Sequence, residues 1–551
     1  MRRRRIARER STASSGPQLK VKPEMRTIKR TESRGMGLVA LVTGLLASAA
    51  AIGAAGTPTA PAPVTTLGGL LQGVAQSGVT AYLGVPFAAP PVGELRWRAP
   101  RKARSWNGVR IADHIGNACM QPRLQGPEAR TPGAPAANDV LSEDCLYLNL
   151  WVPQHPAAPA LPVMVYLHGG SFEHGSGGQP EFNGASLARH GAVIVTLNYR
   201  LGRFGFFAHP ALARENSSGA VGNYGILDQI AALKWVRQNI AAFGGNPRNI
   251  TLVGESAGGI SVSYLMESPF ARGLFQRAII ESGIAFGAPR DAASTLAQAE
   301  AAGTLAAKSW GLQDPDPGAL RRVPAAQVLG NGSAPPTWPM IDGSIIPEDL
   351  TAAFAAGHIA HVPLLLGTNT YEVGFGPLSQ LPRGLSQHLG AQWASVQATF
   401  DGYGTHRTEY IEDELLTDMM FTAPTRLAAR ASAQHGLPTY LYSFSFVRPS
   451  QRDQVPGPAH FDETYAVFGT MALVESRPDS ATARIIDDVQ STWVRFAKTG
   501  RPTEAAAQWP EFRTDADRLL DFSNSGPIVR TNFARERIAL AGTLMSAPPA
   551  H

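Results

Sequence analysis

The sequence predicts an α/β fold: a mostly parallel central sheet with helices on both faces. Val163-Met-Val-Tyr-Leu167 and Ala192-Val-Ile-Val-Thr-Leu197 are continuous apolar runs, the pattern of strands buried on both faces rather than on one. After them, Asp228 to Phe243 carries Ile230, Leu233, Trp235, Val236 and Ile240 at mostly helical spacing and stops at Gly244-Gly245, with Pro247 behind. Strand, helix, strand in that order is a parallel βαβ unit. The unit leads into Asn249-Ile-Thr-Leu-Val-Gly-Glu-Ser-Ala-Gly-Gly259, which reads as a short apolar run, a Gly-x-Ser-x-Gly turn and a helix start at Ile260.

The remaining elements follow in chain order. Residues 1–37 hold twelve Lys/Arg against three Glu, and residues 35–62 carry no charge. Met36-Gly-Leu-Val-Ala-Leu-Val-Thr-Gly-Leu-Leu-Ala47 is a short apolar run with Ala-x-Ala options around Ala47–Ala51. A basic head, an apolar stretch and small residues together read as an export signal, so the protein is expected to be periplasmic or secreted. The run is diluted by Gly and Ala and lacks a charged stop-transfer flank, so no stable membrane insertion is expected once the signal is removed. Residues 57–65 are a Pro-rich extended linker. Residues 1–62 are thus assigned to signal and linker, and residues 63–551 to a single domain, since no clean linker or repeat follows.

Tyr82 to Trp97 mixes turn residues with aromatics and reads as ordered coil packed on the body. Leu146 to Val152 alternates and is a strand. Residues 290–335 are Ala-rich, helical and interrupted; Val362-Pro-Leu-Leu-Leu366 and Leu437 to Ser445 look like later strands. The chain has two cysteines, Cys119 and Cys145, 26 positions apart. In an exported protein such a pair is expected to form a disulfide, and closing a loop of that size contributes about 3 kcal/mol in the chain-entropy model.

Composition excludes some functions. Hydrophobic content of 44% and charged content of 17% describe an ordinary globular protein. The formal charge of +6 belongs to the head; removing it leaves the rest slightly acidic, so no nucleic-acid surface is expected. Two isolated cysteines without a histidine cluster do not make a metal site.

The chemistry centres on Ser256. A strand that stops abruptly and feeds a helix leaves the turn residue exposed, with Gly254 and Gly258 keeping the turn clear. The helix start offers free N–H groups and a positive dipole end where negative charge would develop. That is the arrangement of a serine nucleophile in acyl transfer, and it needs a base, an orienting acid and N–H donors for the oxyanion. Ala257 supplies one N–H. His168-Gly169-Gly170-Ser171-Phe172, directly after an apolar run, supplies a glycine loop whose backbone can approach a ligand, with His168 bracing it.

Acid and base should both follow the serine. That leaves His358, His361, His388, His406, His435, His460 and His551 as bases, of which His460 is the best placed, in the turn-rich Gly457-Pro-Ala-His-Phe-Asp-Glu463 after a late strand. Asp342, Glu348, Asp349, Glu372 and Asp401 are all admissible acids. Glu372, a short loop beyond Leu364–Leu366, is in the right kind of place, and spacing decides no further.

These residues resemble one family, the type-B carboxylesterases and their cholinesterase-like relatives, which have the α/β-hydrolase fold. The resemblance runs from about residue 66 to 515. Glu143-Asp-Cys-Leu-Tyr-Leu-Asn149 resembles one family signature and Gly254-Glu-Ser-Ala-Gly-Gly259 the serine signature. Phe243-Gly-Gly-Asn-Pro247, Asn198-Tyr-Arg-Leu201 and Leu274-Phe-Gln-Arg-Ala-Ile-Ile-Glu-Ser-Gly283 also look like family segments. The resemblance implies Ser256 as nucleophile, with Gly169, Gly170 and Ala257 as the oxyanion hole. Gly367-Thr-Asn-Thr-Tyr-Glu-Val-Gly374 is similar to the acid segment, which selects Glu372; Val373 departs from a common Gly but is none of the three catalytic positions. His460-Phe-Asp-Glu-Thr-Tyr-Ala-Val-Phe-Gly469 is similar to the histidine segment, which selects His460.

The resemblance also implies a Cys119–Cys145 disulfide, no metal or organic cofactor, and hydrolysis of small carboxylic esters. Choline-cleaving members of the family resembled hold the cation on a tryptophan in the disulfide loop; residues 120–144 here hold no Trp, Tyr or Phe, which argues against a choline substrate. Amidase, thioesterase or lipase activity on the same three residues, and a non-catalytic binding role, are the alternatives. The oligomeric state is not legible.

Overall fold

The structure, a computed structural model, describes residues 61–124, 133–156, 158–215, 221–284, 286, 295–330, 337–373, 384–401, 407–505 and 508–545. The predicted signal, His406, Gly374 and His551 lie outside the described residues.

Alternation of side chains builds the core. Along Leu161–Leu167, Val163, Val165 and Leu167 enter one apolar core while Met164 and Tyr166 enter a second on the opposite face. Val193–Leu197 repeats this, with Ile194 on the second face, and so does Leu364–Asn369, with Leu365 there. Successive strand residues point to opposite faces, so a strand apolar throughout needs helices on both.

The main sheet has eleven strands among the described residues: β1 (Val74–Gln76), β2 (Val79–Pro86), β3 (Tyr147–Pro153), β4 (Leu161–Leu167), β5 (Val193–Leu197), β6 (Gly245–Glu255), β7 (Arg277–Glu281), β8 (Leu364–Asn369), β9 (Thr439–Phe444), β10 (Arg518–Ser523) and β11 (Gly526–Thr531). Their spatial order is β11-β10-β9-β8-β7-β6-β4-β5-β3-β2-β1. From β5 through β10 all neighbours are parallel; β3, β2 and β1 on one side and β11 on the other are antiparallel.

Six helices bear on the site: α1 (Tyr224–Asn239), α2 (Ala257–Glu267), α3 (Thr408–Thr417), α4 (Ala423–Gln434), α5 (Ser480–Thr499) and α6 (Arg535–Met545). Ile230, Leu233 and Val236 of α1 and Val262 of α2 fill the first core; Ile485, Val489, Trp493 and Phe496 of α5 fill the second. The expected α/β architecture with helices on both faces is therefore present. No helix among the described residues is long and apolar enough to cross a membrane. Cys119 and Cys145 are joined as a disulfide.

Several boundaries differ from the sequence reading. The linker ends early: Val64–Thr66 already pairs antiparallel with Gly69–Gln72. Tyr82–Pro86 is strand, not coil. Gly84 sits at φ +64° where the β2–β3 register slips between Tyr82 and Val85, so its glycine marks a bulge rather than a break. The helix expected from Asp228 starts at Tyr224, which places Asp228 in its second turn. Asp228 is a buried partner of Arg200, with Nε–Oδ2 and Nη2–Oδ1 both 2.7 Å. Gly244, at φ +77°, closes the 3₁₀ turn Ile240–Phe243 as expected of a C-terminal glycine.

Candidate active site

Parallel strands that stop in register put their following residues on one edge of the sheet, where α/β folds place ligands. Gly169 follows β4, Ser256 follows β6, Ser282 follows β7, Glu372 follows β8 after Thr370 and Tyr371, and His460 lies in the connection after β9.

The elbow is tighter than the sequence reading has it: α2 begins at Ala257, directly after Ser256. Ser256 holds φ +55° and ψ −125°, a strained conformation for a residue with a β-carbon. Two bonds hold it there. Its N–H donates to the Glu281 carbonyl at 2.9 Å, and its carbonyl accepts from the Ile260 N–H at 2.9 Å. A β-carbon on Gly258 would lie 1.9 Å from the Leu167 carbonyl oxygen, so only glycine lets α2 start against β4.

The glycine loop lies against this turn. A β-carbon on Gly169 would stand 2.9 Å from Ser256 Cβ and 2.6 Å from Glu255 Oε2. Gly170 turns the chain at φ +100°, its carbonyl accepting from the N–H groups of Glu173 and His174. Among the described residues, the N–H groups of Gly169, Gly170 and Ala257 have no protein acceptor. His168 braces the loop as expected: Nδ1 lies 2.8 Å from the Gly169 carbonyl and the ring stacks on Tyr199, whose hydroxyl donates to the His168 carbonyl. Burial draws the His168 pKa down to about 4, so the ring is neutral.

Glu372 is fully buried. Its Oε1 accepts from the Asn369 N–H at 2.7 Å and the Ser282 hydroxyl at 2.6 Å, and its Oε2 lies 2.7 Å from His460 Nδ1. The other ring nitrogen of His460, Nε2, is 3.1 Å from Glu255 Oε1, without hydrogen-bond alignment. Phe421 packs on the ring, centroids 4.9 Å apart. The Ser256 hydroxyl has no hydrogen-bond partner among the described residues, so serine and histidine are neighbours through Glu255 but are not bonded in this conformation. Such contacts often tighten only when substrate is bound.

Five of the other candidates are engaged elsewhere. Asp342 accepts N–H bonds from Ser344, Ile345 and Ile346 within its own turn, Asp349 caps a helix, and Glu348 pairs with His358 at the surface. His435 bonds the Ala355 carbonyl.

Four residues given no role from the sequence complete the site: Glu255, Ser282, Asn369 and Glu463. Asn369 Nδ2 donates to Glu463 Oε2 at 2.5 Å, and Ser282 Oγ lies 3.3 Å from Glu463 Oε1. A usable signal existed: Val253-Gly-Glu255 and Ile279-Ile-Glu281 each end an apolar strand in an acid, which a strand buried on both faces does not tolerate without purpose. Burial, then the neighbouring carboxylates, push Glu255 and Glu463 well above the carboxylate range. Burial likewise raises Glu281 from 4.5 to about 8, against the opposing pull of its bond from Trp493 Nε1.

A pH dependence follows. Between 4.5 and about 8 the folded chain keeps the Glu281 proton that the unfolded chain releases, so stability falls as pH rises through that window. The slope is up to about 1.4 kcal/mol per pH unit. Urea unfolding at pH 5, 6, 7 and 8 should show this decline, and Glu281→Gln should make it shallower. An unchanged slope would remove Glu281 as its source.

The profile of the carboxylesterase family matches residues 60–392 and 397–541. A para-nitrobenzyl esterase of Bacillus subtilis is 37% identical over 489 residues, covering 83% of this chain and 94% of that protein. A fumonisin B1 esterase of Sphingopyxis macrogoltabida is 34% identical over 486 residues, covering 84% and 86%. Among solved structures, the Geobacillus stearothermophilus carboxylesterase Est55 superposes with a TM-score of 0.74 at 30% identity, over 87% of this chain and 99% of that one. With an eleven-stranded mixed sheet of the α/β-hydrolase kind and likeness over most of its length, the chain belongs to the carboxylesterase family and is a carboxylic ester hydrolase.

Proposed function

We propose that the protein cleaves small carboxylic esters through an acyl-enzyme formed on Ser256, with His460 as base and Glu372 as its orienting acid. One observation carries the reading: His460, held at 2.7 Å by the buried Glu372, stands beside the strained Ser256 turn. In this reading Nε2 of His460 turns from Glu255 to the serine oxygen. Burial, with Glu372 and Glu281 nearby, pushes Glu255 well above the carboxylate range, which weakens its hold on the ring. His460 takes the serine proton as Oγ attacks the ester carbonyl, and Glu372 stabilises the resulting imidazolium. The N–H groups of Gly169, Gly170 and Ala257 receive the oxyanion. The proton passes to the departing alcohol, and water then repeats the sequence to release the acid.

Residues 1–62 fit an export signal and linker ahead of a catalytic domain of residues 63–551, which the basic and apolar pattern of the head supports. Nitrophenyl esters of increasing acyl length test the function. A burst of nitrophenol matching the enzyme concentration is expected, with an optimum length that measures the acyl pocket. A folded, disulfide-bonded protein with no burst and no turnover on any length would reject the acyl-enzyme reading.

A further inference from the structure

One long helix faces both His460 and the segment carrying Glu372, and it is gripped from the other side by the C-terminal helix. α3 continues into α4 through a π-helical turn, Asp418–Thr422. Pro424 explains the turn: it has no N–H to donate and its ring would collide with the carbonyl four residues back, which a wider turn avoids. The turn directs Phe421 onto the His460 ring. Five residues before the turn, Asp413 Oδ2 accepts from the hydroxyl of Tyr371, the residue preceding Glu372, at 2.6 Å.

The outer side of the turn carries Asp418 and, one helical turn earlier, Glu414. Both meet Arg537 of α6, with Nε to Asp418 Oδ2 at 3.0 Å and Nη1 to Glu414 Oε1 at 3.1 Å. The guanidinium also lies over Phe400, 4.8 Å from the ring centroid. Two carboxylates four residues apart on a helix repel each other, and more so when shielded from water. One planar cation with a donor for each fixes their separation, and with it the last turn of α3 where it enters the π-helical turn at Asp418. Burial raises both carboxyls, with the Arg537 charge opposing it.

We propose that Arg537 is a positioning residue for His460, acting through the π-helical turn and Phe421. The inference rests on His460 being the base. If Nε2 must swing from Glu255 to Ser256, the Phe421 ring is the wall that limits the swing, and Arg537 sets where that wall stands. A displacement of about 1 Å at a reacting group can cost up to about 100-fold in rate.

The experiment compares Phe421→Leu, Arg537→Met, Arg537→Lys and the Phe421→Leu/Arg537→Met double variant on nitrophenyl butyrate, with active sites counted by a fluorophosphonate. Phe421→Leu and Arg537→Met are each expected to lower kcat per active site about 10-fold or more while KM moves less than about twofold. Arg537→Lys should recover part of the loss, and the double variant should lose less than the product of the single losses, as expected of residues on one path. A merely structural role would reduce the count of active sites and leave kcat per site alone. Wild-type kcat in Phe421→Leu, which keeps the ion pairs and should fold, overturns the proposal even if Arg537→Met cannot be purified. Fully multiplicative losses also overturn it. His460→Ala, run alongside, separates the two readings: residual activity there removes the base assignment, whereas its inactivity beside a normal Phe421→Leu removes this inference alone.

Discussion

Ser256→Ala should lower kcat/KM on nitrophenyl esters by roughly 10⁴- to 10⁶-fold while the protein folds as before. The size follows from what is removed: without Oγ there is no acyl-enzyme, and only the N–H donors and substrate binding remain to help water attack. The fold should be indifferent because alanine inherits the same φ of +55° and the same backbone bonds to Glu281 and Ile260. Ser256→Gly separates strain from chemistry. It should be equally inactive yet more stable by about 1 kcal/mol, since glycine occupies that region without the steric penalty, less its own entropy cost. Turnover by burst-corrected kinetics and melting temperature check both halves. A Ser256→Ala protein keeping more than a few per cent of wild-type activity, free of contaminating esterase, would place the nucleophile elsewhere.

What the sequence made legible was local. The apolar runs that became β4 and β5 and the elbow after β6 each announce themselves within about ten residues, through period and turn chemistry. Elements whose signal is short or mixed were harder. From Tyr82 on, β2 reads as coil because Gly84 and Pro86 are turn residues, although a bulged strand accommodates both. β7, β10 and β11 are strands for which the sequence reading gives no strand. The Ser523-Asn-Ser-Gly526 turn joins the last two as a hairpin, a signal too short to stand out without its strands.

The site illustrates a second limit. Ser256, Gly169 and Ala257 come from motifs, but nothing within β8 says that Glu372 rather than Asp342 faces a histidine 88 positions away. That pairing depends on β8 and β9 lying side by side in parallel, a long-range fact that residue spacing does not encode. Family resemblance selected Glu372; the hydrogen bonds supply the physical reason.

The strongest test of that reason is Glu372→Gln, expected to lower kcat by roughly 10³- to 10⁴-fold at neutral pH with little change in KM. Glutamine matches the shape but has one acceptor oxygen where the carboxylate uses two. Oε1 already serves the Asn369 N–H and the Ser282 hydroxyl, and Oε2 serves His460 Nδ1. If the amide oxygen stays with Asn369, the NH₂ faces Nδ1, which must then give up its proton and accept. The ring's remaining proton moves to Nε2, the atom that has to receive the serine proton, and the base is blocked. If the amide flips, its NH₂ meets the buried Asn369 N–H, leaving a donor unsatisfied at about 1–3 kcal/mol. Either way the loss appears in kcat, and the flipped form also shows in stability. Ser282→Ala removes one donor without changing the tautomer and should cost far less. Asp342→Asn should weaken its own turn and leave the rate per active site near wild type. The reverse pattern, a normal Glu372→Gln and an inactive Asp342→Asn, would mean that the carboxylate bonded to His460 in this fold is not the one that orients it during turnover.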